Sequence, residues 1–176
     1  MRAPQDRYVV GRTWLAFCVD EGIAGFVLWG SSAVDDTREL LSALPVAGSP
    51  LADSRARFVD IRRLGSTDPA SFELFVEHFA KHHERLATSV RCVAVVHASG
   101  IGAALAAGFS AVAPMPYPME FFTEPAAGLA WLGAGSATEI AAELDELWTR
   151  VSGTSRASHS SPKAWHSHPR SHAPGR

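Results

Sequence analysis

The stretch that most constrains the fold of this chain is residues 91–97, RCVAVVH, which is apolar at nearly every position. A strand with one wet face alternates apolar and polar residues, whereas a strand covered on both faces does not. Strands of the second kind belong to parallel sheets that carry helices. The chain is therefore predicted to be an α/β layered protein, with this strand in a central position.

Strand-like and helix-like segments alternate along the rest of the sequence. Two apolar segments separated by Asp20-Glu21-Gly22 predict an antiparallel hairpin with Gly22 at positive φ. The predicted strands are 13–19, 23–29, 57–61, 91–97 and 119–123, and the predicted helices are 34–44, 69–87, 100–111, 125–132 and 136–151. This order predicts a mostly parallel central sheet that is opened by a β-hairpin and has helices packed on it.

Capping residues mark two of the helix starts. Asp68 can accept the free amide hydrogens of a first turn, and Pro69 has no amide hydrogen to leave unpaired. Ser136 and Glu139 have the spacing of a capping box. Helix 69–87 is the longest predicted, and its apolar face is expected to be buried; this face holds Phe72, Phe75, Val76, Phe79 and Leu86.

Charge is divided unevenly along the chain. Residues 1–151 hold 12 Lys and Arg against 18 Asp and Glu, while residues 152–176 hold four basic residues and no acidic one. An acidic body argues against direct nucleic-acid binding by the folded part, since such binding relies on clustered Lys and Arg. The tail is too poor in apolar residues to offset its chain entropy. We therefore predict an N-terminal extension (1–12), one α/β domain (13–151) and a disordered Ser/His/Pro tail (152–176).

No segment predicts export or membrane insertion. The first residues lack the apolar core of a signal peptide, and the longest apolar stretch, 93–112, is interrupted by His97, three glycines and two serines. A cytoplasmic location is expected, with no membrane partner. Cys18 and Cys92 lie in apolar stretches without metal or redox spacing, so both are expected to be buried thiols.

Histidines are the main candidates for chemistry. His78 and His82 are one helical turn apart, but Glu84 lies about half a turn from His82 and no third metal ligand is evident. A solvated helix face is the favoured interpretation. His97 ends a strand at the edge where α/β proteins hold ligands, and is either a polar group in a crevice or a hydrogen-bonded structural histidine.

Patterns for phosphate binding and nucleophilic catalysis are incomplete. Gly100, Gly102 and Gly108 depart from G-x-G-x-x-G, and close packing of a helix on the sheet is the favoured interpretation. No G-x-S-x-G nucleophile turn is present. The sequence therefore predicts a protein that is not an enzyme, with no cofactor and no metal.

The order of elements, the run 59–72 and the ending MEFFTEPAAGLAWLG resemble a STAS domain of the SpoIIAA-like, anti-anti-sigma factor type over residues 13–133. In that family an Asp-hydrophobic pair ends the third strand, as Asp60 and Ile61 do here. The next helix begins with an Asp-Ser-Ser-Gly-like sequence whose serine is phosphorylated. Asp68 matches that acid, but Pro69 and Ala70 stand where the serine would be. The resemblance thus implies the fold without its phosphoacceptor; the nearby hydroxyls are Ser66, Thr67 and Ser71.

Residues 60–64 and the ending 117–132 are also similar to the N-terminal domain of some AraC-type transcriptional regulators. In those proteins a helix-turn-helix pair follows this domain. Here the Ser/His/Pro tail follows instead. This second resemblance implies an input domain without the DNA-binding helix-turn-helix pair.

Two functions are predicted. The first is a non-catalytic regulatory or protein-interaction domain of STAS type, linked to transcriptional regulation. It would meet a regulator or kinase through the loop 62–68 and the exposed surface of helix 69–87. The partner-binding residues would be Arg62, Arg63, Ser66, Thr67 and Asp68.

The two arginines have alternative roles, since they can bind a phosphate or carboxylate or pair with Asp60 and Asp68, and pairing is favoured. The second function is that of a small-molecule or lipid-sensing domain. It would hold an apolar ligand near His97 and Phe121.

Overall fold

A computed structural model describes residues 7–19, 22–43, 54–98, 108, 115–154 and 166–167. In these ranges the chain forms one sheet and five helices. The strands are β1 (Arg7–Val10), β2 (Trp14–Val19), β3 (Ile23–Ser32), β4 (Ala56–Thr67), β5 (Cys92–Val96), β6 (Met119–Phe122) and β7 (His166–Ser167). The helices are α1 (Val34–Ala43), α2 (Pro69–Lys81), α3 (His83–Ser89), α4 (Pro125–Trp131) and α5 (Ala137–Thr154).

The sheet has the strand order β6-β5-β4-β3-β2-β1-β7. The four strands β3 to β6 are parallel, and β2, β1 and β7 extend the sheet in antiparallel fashion. The predicted α/β sheet opened by a hairpin is confirmed, with Gly22 at φ 73° in its turn. The apolar strand β5 is buried throughout, but it lies next to the edge strand β6 and not at the centre of the sheet. Its burial therefore comes from the cover on both faces and not from a central position.

Helices cover the two faces of the sheet in a fixed order. Each parallel strand from β3 to β6 lies beside the preceding one on the same side of the sheet. Right-handed connections therefore place α1, α2 and α3 on one face, which we call the front face. The back face is covered by α4 and α5, whose Leu129 and Leu147 are fully buried against Phe17 and Phe58. Among the described residues, the back face thus contains the largest apolar cluster.

Strand β4 is longer than predicted, which corrects the assignment of residues 62–68 to a loop. Residues 62–67 remain in the strand because β3 also continues, to Ser32, and offers them a pairing partner. Trp29 pairs with Arg63 and Ser32 with Thr67, after register shifts near Val27 and Gly30.

The predicted helix 69–87 is two helices. Helix α2 ends at Lys81, and α3 begins at His83 after His82, whose backbone N–H donates to the His78 carbonyl at 3.1 Å. Asp68 caps α2 as predicted, since its Oδ1 accepts the Ala70 N–H at 2.8 Å.

The ends of the predicted domain also differ in detail. Strand β1 lies in the segment assigned to the N-terminal extension, α5 continues to Thr154, and His166–Ser167 pairs with β1. The rest of the expected tail and the predicted helix 100–111, apart from the helical residue Gly108, lie outside the described residues. Cys18 and Cys92 are buried free thiols, which confirms that prediction.

Within the part of the chain that the structure describes, no helix has both the length and the apolar character needed to cross a bilayer.

Candidate ligand-binding site

The two arginines predicted to bind a partner are engaged in ion pairs inside the molecule. Arg62 Nη2 donates to Asp60 Oδ2 at 2.7 Å, and Arg63 Nη2 donates to Asp145 Oδ1 at 2.7 Å. The Asp60 side chain is 2% exposed and both arginines are 21% exposed. The Arg63 guanidinium also lies 4.2 Å from the centre of the Trp148 ring. Pairing is therefore the observed role of both arginines, with helix α5 as one partner.

Asp145 belongs to this network electrostatically. Its burial raises its pKa, but hydrogen bonds from Arg63 and the charges of both arginines outweigh burial and hold the pKa of Asp145 below its ordinary value of 3.8. The carboxylate is thus ionised in the folded protein down to acidic pH. The network fastens α5 to the end of β4.

The hydroxyl groups and Asp68 of the predicted partner patch lie apart from these arginines. Ser66 is exposed and donates to the Ser31 hydroxyl at 2.8 Å, while Ser71 is fully buried and donates to the Ser32 carbonyl at 3.5 Å. Asp68 caps α2 and is not a partner of Arg62 or Arg63, contrary to the pairing considered above. The predicted patch is therefore divided among the ion-pair network, the helix start and an apolar cavity that Thr67 lines.

His97 and Phe121, the predicted ligand pair, are neighbours. Their ring centres are 6.3 Å apart, His97 Nδ1 is 3.0 Å from the Ala98 carbonyl oxygen, and Phe121 is 38% exposed. Phe121 lines a cavity, and His97 is not among the described residues that do so. The ligand site at this pair therefore stays a prediction, and of the two residues Phe121 borders the cavity.

The cavity has a volume of about 330 Å³ and lies between the front face of the sheet and helices α2 and α3. Strand residues that line it alternate along β4, β5 and β6, as side chains on one face of a sheet must. They include Val59, Ile61, Val93, Val95, Met119 and Phe121. The opposite wall consists of Phe72, Phe75, His78 and Phe79 from α2, with Arg85, Leu86 and Ser89 from α3.

Helix α2 does not fill this space. Ser71 is its only described buried residue, although Phe72, Phe75, Val76 and Phe79 were predicted to pack in the core. These apolar side chains are half-buried, because several of them face the cavity instead of close-packed neighbours. A helix this rich in phenylalanine on one face is the sequence signal for the cavity.

A few polar groups interrupt the apolar wall. Burial raises the pKa of Tyr117 to about 12, against a smaller opposing effect of the Arg57 charge, and its hydroxyl donates to Met115 Sδ at 3.0 Å. Arg57 also lines the cavity; burial lowers its pKa, and its guanidinium donates to the Ser54 carbonyl. Tyr117 is therefore neutral at physiological pH.

His78 of α2 and His82, between α2 and α3, lie at the helical wall beside two basic side chains. The rings of His78 and His82 are 4.6 Å apart, in an edge-to-face arrangement. Burial first, then the charges of His82, Arg85 and Lys81, lowers the pKa of His78 to about 4. Desolvation and the same two cations also lower the pKa of His82. Both rings are thus neutral at pH 7.

These histidines do not form a metal centre with other described side chains. In the ranges given above, no three His, Cys, Asp or Glu residues converge as a metal ion would require. The grouping of His78, His82, Lys81 and Arg85 is instead basic, and it was not predicted from the sequence.

The architecture is that of a SpoIIAA-like α/β domain. The chain is similar in structure to a DUF3478-family protein from Shewanella loihica, which is described as uncharacterized and as having a SpoIIAA-like fold. The TM-score is 0.52 with 16% sequence identity, and the match covers 72% of this chain and 94% of that chain. This likeness shows the fold alone. No protein-family model matches the chain, and no curated protein matches its sequence.

Proposed function

We propose that this protein is a non-catalytic regulatory domain that binds an apolar small molecule between the front face of its sheet and helices α2 and α3. The observation that carries the proposal is the half-buried phenylalanine face of α2, which lines a cavity of about 330 Å³. This volume lies within the usual range for small-molecule sites, roughly 300–1,000 Å³. A ligand there would bury apolar surface that the fold leaves partly exposed.

The geometry favours ligand binding over the partner patch predicted around Arg62. Arg62 and Arg63 already bind Asp60 and Asp145, so a protein partner would have to displace stable ion pairs to use them. The outer surface of α2 and α3 stays a candidate surface for a protein partner, and the link to transcriptional regulation stays a prediction. In this scheme the ligand acts on the inner side of the helices that a partner would contact.

The lining of the cavity supports a binding role rather than turnover. Among the described lining residues none is Asp, Glu or Cys, so the described part of the wall offers no carboxylate or thiol for turnover.

Titration with the neutral fluorescent probe N-phenyl-1-naphthylamine tests the proposal. We expect saturable binding to the full chain, and stabilisation against unfolding by about 2.7 kcal/mol at 100 times the dissociation constant. Met119→Trp would occupy the cavity from β6 and weaken binding by more than about tenfold. Glu120→Trp, on the exposed opposite side of the same strand, is the matched control and should bind like the unchanged protein.

A second pair of variants distinguishes loss of probe binding from loss of folding. Leu86→Trp narrows the cavity from α3, while Ala87→Trp adds the same side chain at an exposed neighbouring position. Absence of saturable probe binding to the folded chain would refute the proposal. Equal binding by folded Met119→Trp and Leu86→Trp would place the probe elsewhere and refute it as well.

A further inference from the structure

We infer that the ligand of this cavity is an amphipathic carboxylate, with its apolar part inside the cavity and its carboxylate beside His78, Lys81, His82 and Arg85. This inference rests on the proposed function and specifies the chemical class of the ligand. We call these four residues the basic cluster. The inference is based on the charges around the cavity and on the position of the basic cluster.

The cavity wall is positive where it is charged. Two of its described lining residues are arginines, Arg57 on β4 and Arg85 on α3, and none is acidic. The apolar wall lowers the dielectric constant on the cavity side of these cations, while Arg85 also reaches solvent. An apolar molecule with one negative group complements both properties.

The basic cluster gives the negative group a definite place. His78 and Arg85 line the cavity, the His82 ring lies 4.6 Å from that of His78, and Lys81 is exposed in the same turn of the chain. An anion at this point could accept hydrogen bonds from a guanidinium, an ammonium and imidazole groups. The apolar part of the same molecule would then extend along the phenylalanines of α2.

Neighbouring acids do not neutralise the cluster. Within the described ranges neither Glu77 nor Glu84 forms an ion pair with the cluster, and neither lines the cavity. At pH 7, where the His82 ring is neutral, the charges that act on His78 are those of Lys81 and Arg85. Repulsion among these groups would be relieved by a bound anion.

A matched ligand series tests the inference. Decanoate, decanol and decyl phosphate displace the neutral probe from the full chain in low-salt buffer, and their affinities are compared. We expect decanoate to bind about tenfold more tightly than decanol, with the difference shrinking in 1 M NaCl. The double variant Lys81→Met/Arg85→Met should remove this preference, so that decanoate binds no more tightly than decanol. Arg38→Met, at an exposed position of helix α1, is the control and should keep the preference.

A spectroscopic readout locates the carboxylate. In NMR titrations, saturating decanoate should raise the pKa of His78 from about 4, and decanol should not. Equal affinity for decanoate and decanol would overturn the inference and leave apolar binding intact. Binding of decyl phosphate without decanoate would overturn the choice of carboxylate. Failure of the probe and of all three ligands would refute the proposed function itself.

Discussion

At the scale of single residues, His78 lies where burial and neighbouring charge act in the same direction. Its ring lines the cavity, and both effects oppose its protonation, so its pKa falls from 6.5 to about 4. The folded protein therefore holds a neutral imidazole where the unfolded chain holds a titrating one. This difference makes the stability of the fold depend on pH.

Lowering the pH from 7 to 4 should destabilise the protein through His78. Between pH 6.5 and about 4 the unfolded chain takes up a proton at His78 that the folded chain does not, so the stabilising contribution is complete above 6.5 and is lost toward 4. Thermal unfolding measured across this range should show a smaller decrease for His78→Gln. His83→Gln, at the exposed adjacent histidine, should retain the full decrease.

The carboxylates act in a different pH window. Despite burial, which raises it, the pKa of Asp36 is lowered by hydrogen bonds from Arg12 and the Ala33 N–H, and that of Asp145 is lowered by Arg63 and Arg62. The stabilising contributions of the two carboxylates are complete above the ordinary pKa of 3.8 and are lost only as the pH falls below it.

If His78→Gln and His83→Gln were indistinguishable between pH 6.5 and 4, the assignment of the pH dependence to His78 would be wrong.

At the scale of elements, the start of α2 depends on one side chain. Asp68 accepts the Ala70 N–H, and Asp68→Ala should cost about 1 kcal/mol of unfolding free energy by leaving that amide without its partner. Denaturant unfolding measures the loss. Glu73→Ala, at an exposed position inside the same helix, should change stability by less than about 0.5 kcal/mol. Equal losses in the two variants would contradict a capping role.

Local signals in the sequence predicted some elements well and others poorly. Gly22 and Asp68 have conformational requirements of their own, so the hairpin turn and the start of α2 could be located from the chain alone. The extension of β4 over residues 62–67 could not, because arginines, Gly65 and hydroxyl residues are typical of a loop. Only pairing with the far end of β3 makes that segment a strand.

Most of the candidate site could not be predicted from the sequence, because it also depends on contacts between distant segments. Phe121 was recognised, but the sequence does not show that the phenylalanines of α2 face a cavity, since a packed helix has the same apolar spacing. The basic cluster was also missed. Its members lie on either side of the break between α2 and α3, where a single continuous helix was predicted.

At the scale of the whole molecule, the ion-pair network joins the last described helix to the sheet. Asp60 is buried and binds both arginines, while Asp145, on α5, has a side chain that is 47% exposed. Removing the buried charge leaves two guanidiniums poorly compensated at the interface. The exposed charge can be replaced in part by water.

Asp60→Asn should therefore destabilise the protein by about 3 kcal/mol or more, and Asp145→Asn by about 1 kcal/mol or less. Chemical denaturation of both variants checks the difference. Since asparagine keeps the shape of aspartate, the measured loss reports charge rather than packing. Similar losses in the two variants would mean that burial of Asp60 does not determine the strength of the network.

The placement of α4 and α5 has a consequence for synthesis on the ribosome. Phe17 and Phe58 of the back face leave the exit tunnel long before residue 154 does. At about 5–20 residues per second, the nascent polypeptide exposes them for on the order of ten seconds. During that interval a general chaperone would have to shield the bare sheet. A premature stop codon anywhere before α5 would make that exposure permanent and direct the product to aggregation or proteolysis.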